Sequence, residues 1–235
     1  ARTEDPARPV SVPMTVTPRR GRVAKVRAVL SRDTIIDVAL RLTRDEPTTP
    51  LTLTRLGAEL GADPTALYRH FRNRDELLLA VFDRMYADVA ARFVHDPDWR
   101  ASLRSVALAM RGALLERPAL IAEVGYRFTG GPHERAAIDL TGRIFERAGL
   151  SGEAARLQVR AFGELMLSHA AMSAASVTLP PDIQASEIEI GKARYELDVS
   201  DMSAYVDEAF ATILATYIDG LSAQARAAKR MKAAS

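Results

Sequence analysis

From Ser31 onward, apolar and polar residues alternate with the period of a helix, and the breaks between runs fall on glycine, proline and capping residues. Ser31 precedes Ile35, Ile36, Val38, Ala39 and Leu42, which share one face, and Asp33 puts a negative charge in the first turn, where it suits the helix dipole. "DEPTTP" ends that run. A short helix is expected from about Thr52, which caps it, to Leu60, with Gly61 stopping it. Another opens at the cap Asp63, with Pro64 at the first helical position, where a missing N–H costs nothing. Asn73 and Glu76 then make a capping-box pattern ahead of Leu77, Leu78, Val81, Phe82, Met85, Tyr86, Val89 and Phe93.

"HDPDW" breaks this fourth run near Pro97. A fifth helix carries Trp99, Leu103, Val106, Met110 and Leu114. Pro118 starts a sixth that ends in the "TGGP" turn, and a seventh runs from about His133 to Ala148 and stops at Gly149. An eighth is expected over 151–176 and a ninth over 202–228. Between them, residues 177–200 lose the helical period and read as a long loop. No strand pattern appears, so the class is all-α, with about nine helices. Residues 1–30 hold prolines, few large apolar side chains and no period, and are expected to be a disordered arm.

Charge adds a direction to this outline. Of 235 residues 48% are apolar, enough for a sizeable core, and the net charge is only +2. From Pro18 to His95 there are 14 Lys and Arg against 10 Asp and Glu, and from Asp96 to Ser235 there are 16 against 18, so the first part is net +4 and the rest −2. A basic N-terminal third suits an anionic partner such as nucleic acid. Arg19, Arg20, Arg22, Lys25 and Arg27, with no acid among them, read either as a solvated leader or as an arm that tracks phosphates or enters a minor groove.

Other classes recede. With no cysteine, neither a disulfide nor a thiolate metal site is possible. No run of apolar residues is long enough to span a membrane, and no charged-then-apolar leader is visible, so a cytoplasmic protein is expected. No histidine pair at helical spacing has a carboxylate nearby, so no metal is expected. No Ser/His/Asp order, no paired carboxylates in a glycine-framed loop and no phosphate loop point to an enzyme or a cofactor.

The stretch "LTLTRLGAELGADPTALYRHFRNRDELL", residues 51–78, concentrates the candidate chemistry. Two short helices joined through "ELGADP" make a helix-turn-helix candidate, packed by Leu53, Leu56, Leu60, Leu67 and Phe71. The second would expose Pro64, Thr65, Ala66, Tyr68 and Arg69, small at the front and phosphate-seeking behind. A recognition helix needs this order, because bulky groups at its front clash with the groove floor. A Thr or Ala methyl can meet a thymine methyl, and Tyr, Arg and His can reach flanking phosphates. Thr52 offers a hydroxyl and Arg74 a guanidinium at helix N-termini, where phosphate is favoured. A helix hairpin whose Tyr and His bond internally would fit the same spacing.

This stretch resembles the DNA-binding signature of the tetracycline-repressor (TetR) family. The matching residues are Leu56, Ala58, Leu60, Gly61, Leu67, Tyr68, His70, Phe71, Asn73 and Leu77, and "IIDVALRL" is similar to the family's first helix. The resemblance runs from about Ser31 to Phe82. It implies a DNA-binding head over 31–76 and a ligand-binding and dimerisation domain over 77–235. By position it implies phosphate contacts from Tyr68, His70, Thr52 and Arg74, the last where the family usually has lysine. It places Thr54, Pro64, Thr65 and Ala66 toward bases, with Arg69 adding a phosphate contact. Ala66 departs from members with a hydroxyl or larger group there.

The resemblance further implies a pocket for a small-molecule effector and a homodimer built from the helices at 151–176 and 202–228. "AFGELMLSHAAMSAAS" is rich in small residues that allow close helix approach, and "YVDEAFATILATYIDGL" carries an apolar face. Candidate pocket residues are Trp99, Met110, Arg111, Tyr126, Arg127, Phe128, Phe162, Met166, His169 and Met172, with His95 and His133 as further polar candidates; each also fits plain core or surface. The function expected is a ligand-responsive transcriptional repressor on a near-palindromic double-stranded DNA operator, released by a largely apolar effector. A small-molecule binding or sequestering protein without DNA function, or a ligand-dependent activator, would share these features.

Overall fold

Polar side chains take up the free backbone amides at several helix starts. In the computed structural model, which describes residues 30–125, 127–195 and 202–234, Ser31 Oγ accepts from Thr34 N at the start of α1 (Arg32–Asp45), and Thr52 Oγ1 from Arg55 N at the start of α2 (Leu53–Leu60). Asn73 Oδ1 accepts from Glu76 N at the start of α3 (Arg74–Arg92). Each cap is worth about 1 kcal/mol. Gly61 ends α2 in the left-handed region, φ 63° and ψ 32°, which a side chain would strain.

The segment after that turn is a 3-10 helix, Pro64–Arg69, rather than the α-helix expected. Asp63 caps it, and i→i+3 bonds such as Ala66 N to Asp63 O (2.9 Å) and His70 N to Leu67 O (3.0 Å) wind it tightly. Leu67 and Phe71 are almost fully buried and hold it against α1 and α2.

The body follows as α4 (Trp99–Leu115), α5 (Pro118–Val124), α6 (Pro132–Arg147), α7 (Gly152–Thr178), α8 (Pro181–Tyr195) and α9 (Met202–Ala234). Among the described residues all regular structure is helical. α5 is one short segment of seven residues, closed well before the "TGGP" turn by Gly125. The stretch 181–195, expected to lie in a loop, is helical. Asp182 in its first turn and Lys192 and Arg194 in its last complement the dipole, and Glu189 pairs with Lys192 at 3.0 Å. Its apolar residues do not form one stripe: Ile183 and Ile190 are exposed, and Ile188 points elsewhere on the helix.

α3 is the central element. Leu77, Leu78, Val81, Phe82, Met85, Tyr86 and Val89 are all buried, and α3 packs on α1 on one side and on α4, α5 and α6 on the other. The buried cluster runs unbroken from Ile35 in α1 to Leu221 in α9. Arg84 adds polar ties from α3 to Asp33 (2.7 Å) and Asp37 (2.5 Å) on α1.

Candidate functional site

The outer face of the head is built from short side chains at its leading edge and longer polar ones behind. Thr52, Thr54, Thr65 and Arg69 are exposed, Tyr68 is 53% exposed despite its large ring, and Pro64, Ala66 and His70 are half-buried. The Thr65 hydroxyl donates to Asp63 Oδ1 (2.6 Å), so its oxygen and methyl remain for an outside partner. That bond and the Thr65 amide hold the Asp63 carboxyl below its ordinary range. Arg69 has no carboxylate partner among the described residues. The Arg32 guanidinium lies 4.3 Å over the Phe71 ring and donates to His70 O (2.6 Å), fixing the end of the 3-10 helix.

Arg74 is the exception. Its guanidinium donates twice to Leu51 O (3.1 and 2.7 Å) and twice to the Glu123 carboxylate (2.5 and 2.9 Å). Instead of standing free for the phosphate role implied by its position, the Arg74 fork is turned inward in this structure, where a backbone carbonyl and a carboxylate on α5 take most of its donors. Beside it, Ala119 N donates to Pro47 O (3.0 Å) and Arg127 pairs with Asp75 (2.7 Å). These three contacts join head to body. The arm residues Arg19, Arg20, Arg22, Lys25 and Arg27, and Tyr126, lie outside the described residues.

A cleft of about 660 Å³ opens between α6 and α7 over the flank of α3 and α4. Tyr86, Met110, Phe128, Ile138, Phe162 and Leu167 supply most of its apolar wall. Beneath the start of α6 lies Asp83, a buried carboxylate on α3 that supports this helix without itself lining the cleft. Gly131 at the α6 N-cap has no side chain to offer, and Asp83 replaces it, accepting from Glu134 N (2.9 Å) and His133 N (3.4 Å). A β-carbon on Gly131 would sit 2.1 Å from Asp83 Cγ, so only glycine fits. Glu134 folds back to accept from Gly130 N (2.7 Å) and Thr129 Oγ1 (3.0 Å). Burial first, then the nearby Glu134 and Asp83 charges, push the Tyr86 hydroxyl well above its ordinary range, so it stays protonated as a donor.

Met110, Phe128 and Phe162 of the predicted pocket set line this cleft. The others do not. Trp99 is buried under the Arg100 guanidinium (4.7 Å), and Met166 is core. Arg111 donates to His169 Nε2 (3.3 Å) and pairs with Asp207 (2.5 Å), and both Arg111 and His169 lie against the Phe210 ring (4.8 Å each). Met172 is 74% exposed. Arg127 and His133 line a second, polar cleft of about 530 Å³ between α1, α3 and the turn before α6, while His95 bonds to Arg147 (3.1 Å). Sequence reasoning missed Glu134, Asp83 and Tyr86 as site groups. A glutamate in a first helical turn looks like dipole matching, and Asp83 and Tyr86 look like ordinary positions of an amphipathic helix.

Residues 35–81 match the family model described as "Bacterial regulatory proteins, tetR family". An HTH-type transcriptional repressor of Mycobacterium tuberculosis is 32% identical over 109 residues, 46% of this chain, and the chain spans 41% of the length of that curated relative. A structural-genomics crystal structure from Streptomyces coelicolor A3(2) is 27% identical, covering 83% of this chain and 98% of that one with a TM-score of 0.68. The S. coelicolor TetR family protein ActR, crystallised with actinorhodin, is 25% identical, covering 84% and 99% with a TM-score of 0.66. With its helix-turn-helix head in the matched segment and its fold shared along most of its length, this chain belongs to the TetR family of bacterial regulatory proteins.

Proposed function

We propose that the protein is a ligand-responsive transcriptional repressor that binds a near-palindromic operator as a homodimer. The observation that carries this reading is the outward face of the head, where Thr52, Thr54, Thr65, Tyr68 and Arg69 stand exposed around a short helix held from behind by Leu67 and Phe71. Pro64, Thr65 and Ala66, with Thr54, would approach base edges, while Thr52, Tyr68, Arg69 and His70 would hold the phosphate rails. In this reading residues 31–76 are the DNA-binding domain and 77–235 the ligand-binding and dimerisation domain, in a cytoplasmic protein. The task is binding, which asks for no catalytic group or cofactor.

The dimer reading is supported by apolar side chains left uncovered on α7 and α9: Leu157 is 61% exposed, Met172 74% and Ile213 40%. A two-fold axis there would set the heads about one DNA turn apart, ~34–36 Å. An effector in the cleft would touch α3 through Tyr86 and α6 through Glu134. It would shift head spacing only as far as it binds one arrangement better than the other. Actinorhodin bound to ActR supports a small molecule in a body of this fold. Electrophoretic shift with the protein's own upstream DNA tests the reading: a discrete dimer–DNA band is expected, and no retardation even at low salt would refute it.

A further inference from the structure

The cleft between α6 and α7 presents two polar atoms that no described residue uses. Tyr86 is 5% exposed and Glu134 6%, and both line the cleft. The Tyr86 hydroxyl has no hydrogen-bond partner among the described residues, and Glu134 spends Oε2 on Gly130 N and Thr129 Oγ1 while Oε1 stays open. Neither atom is sealed in, because the only enclosed side-chain polar atom without a partner among the described residues is Arg117 Nε. Both therefore face the open space of the cleft.

A buried carboxylate is ordinarily matched by a cation or by a full set of donors, since its lost hydration is otherwise uncompensated. Asp83 meets that demand with two backbone amides, those of His133 and Glu134. Thr129 has a single hydroxyl proton, so it serves Asp83 or Glu134 but not both. Glu134 is left with one firm donor, the Gly130 amide, and among the described residues no Lys, Arg or His pairs with it. The rim carries three arginines, Arg143, Arg156 and Arg160, and three carboxylates, Asp139, Glu146 and Glu164, so with Glu134 the lining has one negative charge in excess. The walls also suit a cation: the Phe128 ring already carries the Arg160 guanidinium at 4.8 Å.

We infer that the cleft selects a lipophilic cation, a largely apolar molecule with one positively charged nitrogen set against Glu134 Oε1. The Tyr86 ring flanks that nitrogen, and its hydroxyl is free to donate to an acceptor on the same molecule. The apolar body lies on Met110, Ile138, Phe162 and Leu167. A neutral molecule of the same shape would expel water from Glu134 and leave it unpaired, and an anion would add repulsion. The inference rests on the reading of this cleft as the effector site.

Titration calorimetry on the full chain tests it with three probes sharing a naphthylmethyl frame: the trimethylammonium cation, its neutral tert-butyl isostere, and naphthylacetate. The cation is expected to bind about tenfold or more tighter than the neutral isostere, with the anion weakest. Glu134→Gln keeps an acceptor for the Gly130 amide, and should bring the cation down to the neutral probe's affinity while leaving the neutral probe unchanged. The wild-type ranking stands even if that variant folds poorly. Equal or tighter binding of the neutral isostere, equal losses for both probes in Glu134→Gln, or no binding by any of the three would overturn the inference. Release of operator DNA is scored separately. A cation preference without release leaves the cation site standing and removes the effector reading, whereas release by the neutral probe without a cation preference does the reverse.

Discussion

Replacing Arg74 by alanine separates two roles that sequence position alone cannot. The side chain holds Glu123 through both forks and caps Leu51 O, and the ion pair is partly exposed, at 38% and 28% of the two side chains. Solvent screening limits such a pair to about 1 kcal/mol. Leaving Leu51 O without its charged donor adds roughly another 1 kcal/mol. The loss is therefore about 2 kcal/mol, which for a chain of this size lowers Tm by about 4–8 °C. Arg74→Lys should recover only part of it, because an ammonium cannot reproduce the fork. The second measurement is operator affinity against salt, by fluorescence anisotropy. A phosphate contact contributes about 0.9 to the slope of log K against log salt, and its removal lowers the slope by that amount. An inward Arg74 predicts an unchanged slope beside the drop in Tm. A slope reduced by about one with Tm intact would refute the assignment.

Gly131→Ala pushes a methyl into the Asp83 carboxylate, which lies 2.1 Å from the ideal β-carbon, and should cost about 3 kcal/mol in urea unfolding through overpacking and a disturbed α6 start. Tyr68→Ala and His70→Ala should weaken operator and random DNA alike, by about 1 kcal/mol each, whereas Thr65→Val should alter base preference in a selection from random duplexes. Burial first, then the Arg111 charge, holds His169 below its ordinary 6.5. The unfolded chain then binds the proton more readily, so the stabilisation is complete above pH 6.5 and is lost as pH falls below it. His169→Gln should flatten the pH dependence of Tm in that range, and an unchanged acid limb would count against the assignment. Met172→Glu should convert the dimer to monomer in sedimentation at micromolar concentration.

The helix starts were legible because capping chemistry is local: Ser31, Thr52, Asp63 and Asn73 each bond an amide two or three residues on. The buried faces of α1 and α3 followed from spacing for the same reason. α8 was not legible, since Ile183, Ile188 and Ile190 do not share a face and its support is dipole complementarity rather than a core stripe. The 3-10 winding of Pro64–Arg69 depends on how Leu67 and Phe71 seat against two other helices. The polar groups around the start of α6 were hidden for a further reason. Asp83 and Glu134 are 51 residues apart in sequence, and their joint arrangement exists only once α3 crosses the start of α6. Arg74 shows the same limit from the other side, since position in a motif could not reveal Glu123, 49 residues away.

The most direct test of the central claim is hydroxyl-radical footprinting of the protein on its own upstream DNA. Two protected patches on one face of the duplex, with centres ~34–36 Å apart, are predicted, and both should vanish together in Tyr68→Ala. A single patch, or no protection at saturating protein and low salt, would contradict it.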